Sequence, residues 1–334
     1  MRTITLYDST LRDGNHALKH AITQEQIENY AKLAQDAGVD IIEVGHGNGL
    51  GGSSLQVGTA LLSDTQMIES AKKYLSTTRL AALVLPGFAS LKREVSDAIS
   101  SGVDIFRVGV HCSEVSLSIG YADYIKSAGK ELYVSLMMSH MLAPEALLEQ
   151  ALLAQSYGAD GLFLFDSAGY MTPSMVHERV SLLVQNLSIP VAFHAHNNMG
   201  LAVANTLESL AAGASLADGC SRGFGAGAGN APLEIVAALC EREGYRCKAG
   251  LQGLLALAEY VEKGIATELP HSDMLSILSG LYGVFSGFKP HVARAAQEMQ
   301  VEPGAILQEL GAQRVIAGQE DMIMRVAKQI KERR

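Results

Sequence analysis

Short apolar runs alternate along most of the chain with longer segments whose apolar residues recur at helical spacing. The runs predict strands at residues 4–7, 41–45, 80–85, 105–110, 131–137, 161–166, 191–196 and 216–219. The segments between them predict helices, among them residues 24–37, 89–100, 144–157 and 174–186. Continuous apolar strands that alternate with helices are typical of a parallel sheet covered on both faces.

Eight such units in about 245 residues match the usual size of a TIM barrel. The repeats therefore favour a closed (β/α)8 barrel over an open, doubly wound sheet. The pattern changes near residue 262, after which helices are predicted at residues 292–299, 305–310 and 321–331. We predict a barrel domain over residues 1–261 and a small helical C-terminal domain over residues 262–334.

Composition narrows the class of protein. The chain has 334 residues, of which 48% are hydrophobic and 18% charged, as in a globular protein with a large core. A net charge of −9 argues against nucleic-acid binding. There is neither an uncharged apolar stretch of about 18 residues nor a signal-peptide pattern, so no membrane association is predicted. The four cysteines lack metal-site spacing and are predicted to be reduced thiols in a cytoplasmic protein.

Two strand ends carry residue types that bind divalent metals. Asp13 lies in a segment after the first strand that is predicted to be a loop, and His194 and His196 end the seventh strand. Histidines two apart on a strand project from the same face, and the carboxyl ends of barrel strands meet at one rim. One carboxylate and two imidazoles leave coordination positions open, as a catalytic site requires, and suit Mn²⁺, Fe²⁺, Co²⁺ or Zn²⁺.

Further polar side chains are predicted at the same rim. Arg12 is permanently charged and can stabilise an oxyanion, or else form a structural salt bridge. His16 is a candidate proton-transfer group, or else a residue that hydrogen-bonds within the loop. Ser167 can donate a hydrogen bond to a substrate carboxylate, or else cap a helix, and Asp166 can orient a ligand or cap as well.

Two glycine-rich stretches, residues 45–54 and 223–230, follow the second and eighth predicted strands. No βαβ unit with a downstream acidic residue supports a dinucleotide site here. Glycines let the backbone pass close to a metal centre or present N–H groups to an anion. Asn230 is predicted to make a structural polar contact at this place.

These motifs resemble those of the 4-hydroxy-2-oxoacid (4-hydroxy-2-oxovalerate) aldolases, within the wider family of divalent-metal TIM barrels that includes HMG-CoA lyase and isopropylmalate synthase. The resemblance rests on residues 8–17, 43–54, 136–140, 166–169, 194–196 and 225–234. It extends through residues 283–286 and 318–322, in the part that the family uses as a communication domain. Residues 46–54, HGNGLGGSS, and 225–230, GAGAGN, are typical of the aldolases rather than of the synthases.

The resemblance implies a role for each candidate residue. The metal ligands would be Asp13, His194 and His196, and the ion Mn²⁺, with Co²⁺, Mg²⁺ or Zn²⁺ as alternatives. Arg12 would stabilise a pyruvate enolate, His16 would be the catalytic base, and Ser167 would contact the substrate. Asp13 and His194 would also lie against the substrate.

The implied reaction is the class II aldol cleavage of a 4-hydroxy-2-oxoacid, such as 4-hydroxy-2-oxopentanoate. It would give pyruvate and an aldehyde through a metal-bound enolate. The implied setting is the catabolism of aromatic hydrocarbons. An acylating aldehyde dehydrogenase would bind the C-terminal domain, and the assembly would be an oligomer.

Three stretches depart from the family pattern. Phe285 stands where the family usually has tyrosine, residues 197–198 are Asn-Asn rather than His-Asn, and residues 220–222 are an unusual Cys-Ser-Arg. These changes leave the metal chemistry intact and the aldehyde unassigned. The alternative functions are an acyl-CoA-dependent synthase or lyase of the same family, a non-heme Fe²⁺ oxygenase with the same ligand types, and a non-catalytic scaffold.

Overall fold

Eight parallel strands form a closed barrel in the structure, a computed structural model that describes residues 1–333. The strands are β1 (Thr3–Asp8), β2 (Ile41–Glu43), β3 (Arg79–Val84), β4 (Ile105–His111), β5 (Glu131–Met137), β6 (Gly161–Asp166), β7 (Val191–Ala195) and β8 (Leu216–Gly219). Each strand pairs with the next, and β1 pairs with both β2 and β8, which closes the sheet. The TIM-barrel prediction is confirmed, and each predicted strand is present.

Helices surround the barrel. They are α1 (Thr10–Ala17), α2 (Gln24–Ala37), α3 (Asp64–Lys72), α4 (Ser96–Ser100), α5 (Ile119–Ser127), α6 (Pro144–Ser156), α7 (Pro173–Asn186), α8 (Ala202–Ala211), α9 (Leu233–Arg242) and α10 (Leu251–Tyr260). Short 3-10 or π turns lie at Leu91–Val95, Val115–Ser118, Ser139–Met141, Ser221–Gly223, Val261–Ile265 and Ser286–Phe288. A two-residue strand, β9 (Arg246–Cys247), pairs with the start of β1 and was not predicted.

Helix α2 illustrates how the sequence sets these boundaries. The Thr23 hydroxyl accepts the Gln26 N–H while the Gln26 side chain accepts the Thr23 N–H, a capping box that satisfies two free donors. Gly38 ends the helix at a φ of 80°, a conformation that costs glycine little. The helix buries one apolar face, formed by Ile27, Tyr30, Ala31 and Ala34.

Alternation along the strands separates two apolar layers. Residues that face the helices form a large outer core. Residues that point into the barrel form a second cluster: Tyr7, Ile41, Ala81, Ile105, Tyr133, Phe163, Phe165, Ala192 and Leu216. Because side chains alternate, residues two positions beyond these also face inward, nearer the carboxyl ends of the strands. Glu43, Arg107, His194 and Asp218 occupy such positions.

The C-terminal part has a hydrophobic core of its own. It contains α11 (Met274–Tyr282), α12 (Lys289–Met299), α13 (Pro303–Ala312) and α14 (Asp321–Glu332). The helices predicted at residues 292–299, 305–310 and 321–331 are confirmed within α12 to α14, whereas α11 was not predicted. The division of the chain between residues 261 and 262 stays a prediction.

No helix within residues 1–333 combines the length and the apolar character that a membrane crossing requires.

Candidate metal centre and catalytic groups

The three predicted ligands meet at the carboxyl-terminal rim of the barrel. Asp13 comes from α1, His194 from β7, and His196 from the residue after β7. One ligand atom from each lies within 4.8 Å of the others, and all three residues are buried. The two imidazole centroids are 5.2 Å apart. Strand alternation therefore brings the histidines together, and barrel closure brings the carboxylate to them.

The segment that carries Asp13 is a helix, so the prediction of a loop was wrong. Asp8 ends β1, and its carboxylate accepts the Thr10 N–H at 2.9 Å. The Ser9 carbonyl then accepts the Asp13 N–H at 2.8 Å, which starts α1 at once. Gly14 and the polar residues around it have low helix propensity, so contacts with the barrel rather than local preference stabilise this helix.

The glycine-rich stretch after β8 holds Asp13 in place. Asn230 Nδ2 donates to Asp13 Oδ2 at 2.7 Å, and the Ala226 N–H donates to the same oxygen at 3.0 Å. Gly225 lies so close that a Cβ there would be 2.5 Å from Asp13 Oδ2. The glycines thus allow the backbone to approach the carboxylate, and the structural contact predicted for Asn230 is with Asp13.

The charge states of these residues fit a divalent cation. Burial raises the pKa of Asp13, but Arg12 and the neighbouring histidines together outweigh this and hold it well below its usual value. Burial lowers the pKa of His196 to about 4, which keeps the imidazole neutral. Within residues 1–333, both ring nitrogens of His194 and Nδ1 of His196 are buried without a hydrogen-bond partner. Buried polar atoms are normally paired, so a metal ion is a natural partner for each imidazole.

Arg12 forms the salt bridge that its sequence position allowed, and one of its nitrogens stays free. Its Nε donates to Glu43 Oε2 at 2.7 Å, and its Nη1 contacts Asp13. Its Nη2 is buried and has no partner among the residues that the structure describes. Two nitrogens therefore hold the guanidinium in place, while the third remains available to an anionic substrate oxygen.

His16 lies at the wall of an open cavity of about 780 Å³ that is also lined by Lys19, Ala226 and Ser286. Burial lowers the pKa of His16 below its ordinary value, and Asp13 offsets only part of the effect. A neutral imidazole can accept a proton. His16 is thus in contact with this cavity and in a protonation state suited to a base.

Ser167 and Asp166 have different surroundings. The Asp166 carboxylate accepts the N–H groups of Tyr170 and Met171 at 2.9 and 3.0 Å, so it caps the turn after β6. The buried Ser167 hydroxyl accepts the Met138 N–H at 3.1 Å, which leaves its proton free to donate. Phe165, on β6, stacks on His194 at a centroid distance of 4.5 Å.

Three buried charged residues near the ligands were not predicted: Glu43, Arg107 and Asp218. Arg107 donates to Glu43 Oε1 at 2.9 Å and to Asp218 Oδ2 at 2.5 Å. His194 Nδ1 lies 3.0 Å from the same Asp218 oxygen. In the sequence, these residues could have been recognised as single charged residues inside apolar runs, as in Phe106-Arg107-Val108 and Ala217-Asp218-Gly219.

A second cavity, of about 240 Å³, lies beside the C-terminal part. Its apolar walls include Leu85, Met137, Met138 and Phe285. Its polar members are Asn48, Gln56, His111, Glu114 and Glu320. Ser286 follows Phe285 and donates its N–H to the Ser167 carbonyl at 3.1 Å. Phe285, which departs from the family pattern, is therefore next to a residue that is hydrogen-bonded to the rim of the barrel.

Comparisons with known proteins give two family matches and many similar relatives. Residues 3–261 match the HMGL-like family, and residues 270–332 match the DmpG-like communication domain. A 4-hydroxy-2-oxovalerate aldolase of Burkholderia pseudomallei is 46% identical over 327 residues, covering 98% of this chain and 94% of the relative. The 4-hydroxy-2-oxovalerate aldolase 2 of Salinispora arenicola is 48% identical over 324 residues, with coverages of 97% and 93%.

Solved structures share the fold. The carboxyl transferase domain of Rhizobium etli pyruvate carboxylase superposes with a TM-score of 0.82 at 16% identity, over 99% of this chain and 61% of that one. The N-terminal domain of a putative aldolase from Bacteroides vulgatus gives a TM-score of 0.74 at 20% identity, over 86% and 95%. At these identities the likeness concerns the fold alone.

Proposed function

Because the chain belongs to the HMGL-like family, and within it to the 4-hydroxy-2-oxovalerate aldolases, we propose that it cleaves 4-hydroxy-2-oxopentanoate or a close homologue at a metal site formed by Asp13, His194 and His196. The reaction breaks the C3–C4 bond, transfers a proton to C3 in place of the one lost from the 4-hydroxyl group, and so gives pyruvate and an aldehyde. The observation that carries the assignment of the site is the meeting of these three buried ligands within 4.8 Å, with Arg12 bound to one of them.

When bound, a divalent cation supplies a Lewis acid that polarises the 2-keto group of the substrate. We propose Mn²⁺, with Co²⁺, Mg²⁺ and Zn²⁺ as alternatives, because one carboxylate and two imidazoles suit cations of intermediate hardness. The absence of cysteine among the three ligands lowers the preference for a structural zinc.

Three side chains carry the remaining steps. His16 takes the proton of the 4-hydroxyl group as the C3–C4 bond breaks, because its imidazole is neutral and faces the large cavity. The free Nη2 of Arg12 stabilises the negative charge that develops on the C2 oxygen. The Ser167 hydroxyl donates to the substrate carboxylate, since its oxygen already accepts the Met138 N–H.

The 240 Å³ cavity is the proposed place for the alkyl part of the aldehyde. Apolar side chains form most of its walls, and such walls favour an aliphatic group. Phe285 supplies a ring without a hydroxyl here, so it adds apolar surface and no hydrogen bond.

The communication domain gives the proposed partner. A DmpG-like domain over residues 270–332 fits an association with an acylating aldehyde dehydrogenase that consumes the released aldehyde. We further propose an oligomeric assembly that works in aromatic catabolism. The four cysteines are free thiols, which is consistent with the reducing cytoplasm as its location.

Two variants separate the proposed roles. His16→Ala should bind Mn²⁺ as tightly as the unmodified protein, while pyruvate release falls by roughly 10²–10⁴, the usual contribution of a general base. His194→Ala should lose both Mn²⁺ affinity and activity. Retention of Mn²⁺ affinity and pyruvate release in His194→Ala would contradict the proposed metal site.

A further inference from the structure

Arg107 lies at the centre of a charged network that spans the inside of the barrel. From β4, its Nε donates to Glu43 on β2 at 2.9 Å, and its Nη2 also contacts that carboxylate. Its Nη1 donates to Asp218 on β8 at 2.5 Å. One guanidinium therefore joins strands on two sides of the barrel.

The network has two arms that end at the catalytic groups. Along the first, Glu43 Oε2 accepts the Arg12 Nε–H at 2.7 Å. Along the second, Asp218 Oδ2 lies 3.0 Å from His194 Nδ1. The two atoms are within hydrogen-bonding distance, but the ring N–H does not point at the carboxylate, so the contact is a close electrostatic one that favours a proton on Nδ1. Arg107 is thus one residue removed from both the enolate-stabilising arginine and a metal ligand.

The surroundings of Arg107 fix its orientation. Its side chain is fully buried, and the guanidinium lies over the rings of Tyr7, Phe163 and Phe165 at 4.5, 5.1 and 4.8 Å. Phe165 stacks in turn on His194. The aromatic rings fix the plane of the guanidinium. Because its hydrogen bonds lie in that plane, the two carboxylates that it binds have little freedom to move.

Stability alone does not account for these buried charges. Replacing a buried ion-pair network by apolar residues of similar volume is often neutral or stabilising. Two guanidinium groups, Arg12 and Arg107, face three carboxylates, Asp13, Glu43 and Asp218, so one negative charge remains. A divalent cation at the ligands would change this to a net charge of about +1. Such a charge favours the binding of an anionic 2-oxoacid, so the network fits the proposed site.

We infer that Arg107 is the positioning residue of this enzyme: through Asp218 it fixes His194 with the proton on Nδ1, and through Glu43 it fixes the guanidinium of Arg12. The first contact leaves His194 Nε2 as the nitrogen available to a metal. The second aims Arg12 while its Nη2 stays free for substrate. The inference rests on the proposed metal site and extends it to residues that do not touch substrate.

The tautomer of His194 distinguishes the two possible roles of Arg107. It should change in the variants if Arg107 positions His194, and it should stay the same if Arg107 only stabilises the fold. In metal-free protein labelled with ¹⁵N-histidine, the signals of His194, identified by their loss in His194→Ala, should report an Nδ1–H tautomer. Asp218→Asn and Arg107→Lys should shift them toward the other tautomer at the same, slightly alkaline pH. Unchanged signals in both folded variants would overturn the inference, whether or not the protein binds metal.

The affinity for Mn²⁺ distinguishes the two arms. It is measured by EPR from the concentration of unbound Mn²⁺. Asp218→Asn should weaken Mn²⁺ binding by roughly 10–100-fold, as is usual for the partner of a ligand histidine. Glu43→Gln should leave the affinity within about threefold but lower kcat at unchanged KM, since the Arg12 charge acts on the transition state. Arg107→Lys should show both effects, because lysine cannot bridge two carboxylates in one plane.

Arg79→Lys is the matched control. Arg79 also belongs to a barrel strand and pairs with a carboxylate, Glu131, but at the start of the strands and partly exposed. Neither Mn²⁺ affinity nor kcat should change in this variant. If Arg107→Lys fails to fold, as judged by circular dichroism, the two carboxamide variants still test each arm. Wild-type Mn²⁺ affinity in Asp218→Asn would overturn the His194 arm, whereas absent Mn²⁺ binding in the unmodified protein would contradict the proposed metal site.

Discussion

The imidazole of His16 lies against the backbone of Gly47, where a Cβ would come within 2.5 Å of the ring. Gly47 belongs to the loop after β2, and two other histidines support that loop. His20 and His46 stack at a centroid distance of 3.6 Å, and each hydrogen-bonds a carbonyl of the same loop. The position of the proposed base is therefore set by a glycine that the catalytic motif does not contain.

Replacing Gly47 by alanine should displace His16 without affecting the metal ligands. We expect kcat to fall by roughly 10²-fold, since a shift of about 1 Å in a catalytic group costs that much. Mn²⁺ affinity should stay the same. Gly120→Ala, in α5, is the control, because nothing lies within 4 Å of a Cβ there. Unchanged kcat in Gly47→Ala would show that His16 is not the base or that its present position is unimportant.

Phe285→Ala should broaden the aldehyde specificity. The change enlarges the 240 Å³ cavity, so a substrate with two more methylenes should gain about tenfold in relative kcat/KM, at about 0.8 kcal/mol for each buried methylene. Exchange of the C3 protons of pyruvate should not change, because it does not involve the aldehyde. An unaltered ratio of kcat/KM between long and short substrates would place the aldehyde elsewhere.

Asn198 should stabilise the contact between the barrel and the C-terminal part. Its Nδ2 donates to the Ser276 carbonyl, and its Oδ1 accepts the Ser286 hydroxyl, both at 3.1 Å. Asn198→Ala leaves buried partners unpaired and should lower the free energy of unfolding by roughly 1–3 kcal/mol. Hydrogen exchange over residues 270–290 should speed up.

Asn186→Ala is the matched control for that change, since Asn186 is exposed at the end of α7 and bonds only within its helix. If exchange over residues 270–290 is as slow in Asn198→Ala as in this control, the attachment depends on other contacts.

Asp8 predicts a pH dependence of stability. Burial raises the pKa of Asp8 from 3.8 to about 6, against the opposing effect of its hydrogen bonds with Thr10 and Tyr30. A carboxyl whose pKa is raised by folding favours the folded state when protonated. Its contribution is full below pH 4 and is lost as the pH rises through 6.

The stability of Asp8→Asn relative to the unmodified protein should therefore increase between pH 4 and 7, by on the order of 3 kcal/mol. Urea unfolding at several pH values measures this difference, in which any constant loss of hydrogen bonding cancels. Asp97→Asn, at an exposed position on α4, is the control. A pH-independent difference for Asp8→Asn would show that Asp8 is ionised over the whole range.

Local patterns in the sequence were sufficient to predict most of the fold. Apolar runs locate the eight strands because parallel barrel strands are buried on both faces. Residues 24–37 were predicted as a helix with the same limits as α2, since the capping box and Gly38 mark both ends. The His194–His196 pair follows from strand alternation, and barrel closure brings Asp13 to it.

The remaining features depend on contacts between distant parts of the chain. Helix α1 has little helical propensity of its own and is stabilised by the rim of the barrel. The carboxylates that bind Arg107 are distant in sequence, since Glu43 is 64 positions away and Asp218 is 111. The proposed aldehyde cavity combines walls from β4, β5, the loop after β3 and the C-terminal part, so its shape could not be predicted from any one segment.

Pyruvate release from 4-hydroxy-2-oxopentanoate tests the central claim most directly. Protein treated with EDTA and then freed of chelator should release almost no pyruvate, and addition of Mn²⁺ should restore the reaction in proportion to the Mn²⁺ bound at one site. Equal rates with and without the metal would contradict a metal-dependent aldol cleavage at Asp13, His194 and His196. So would the absence of pyruvate from protein that is saturated with Mn²⁺.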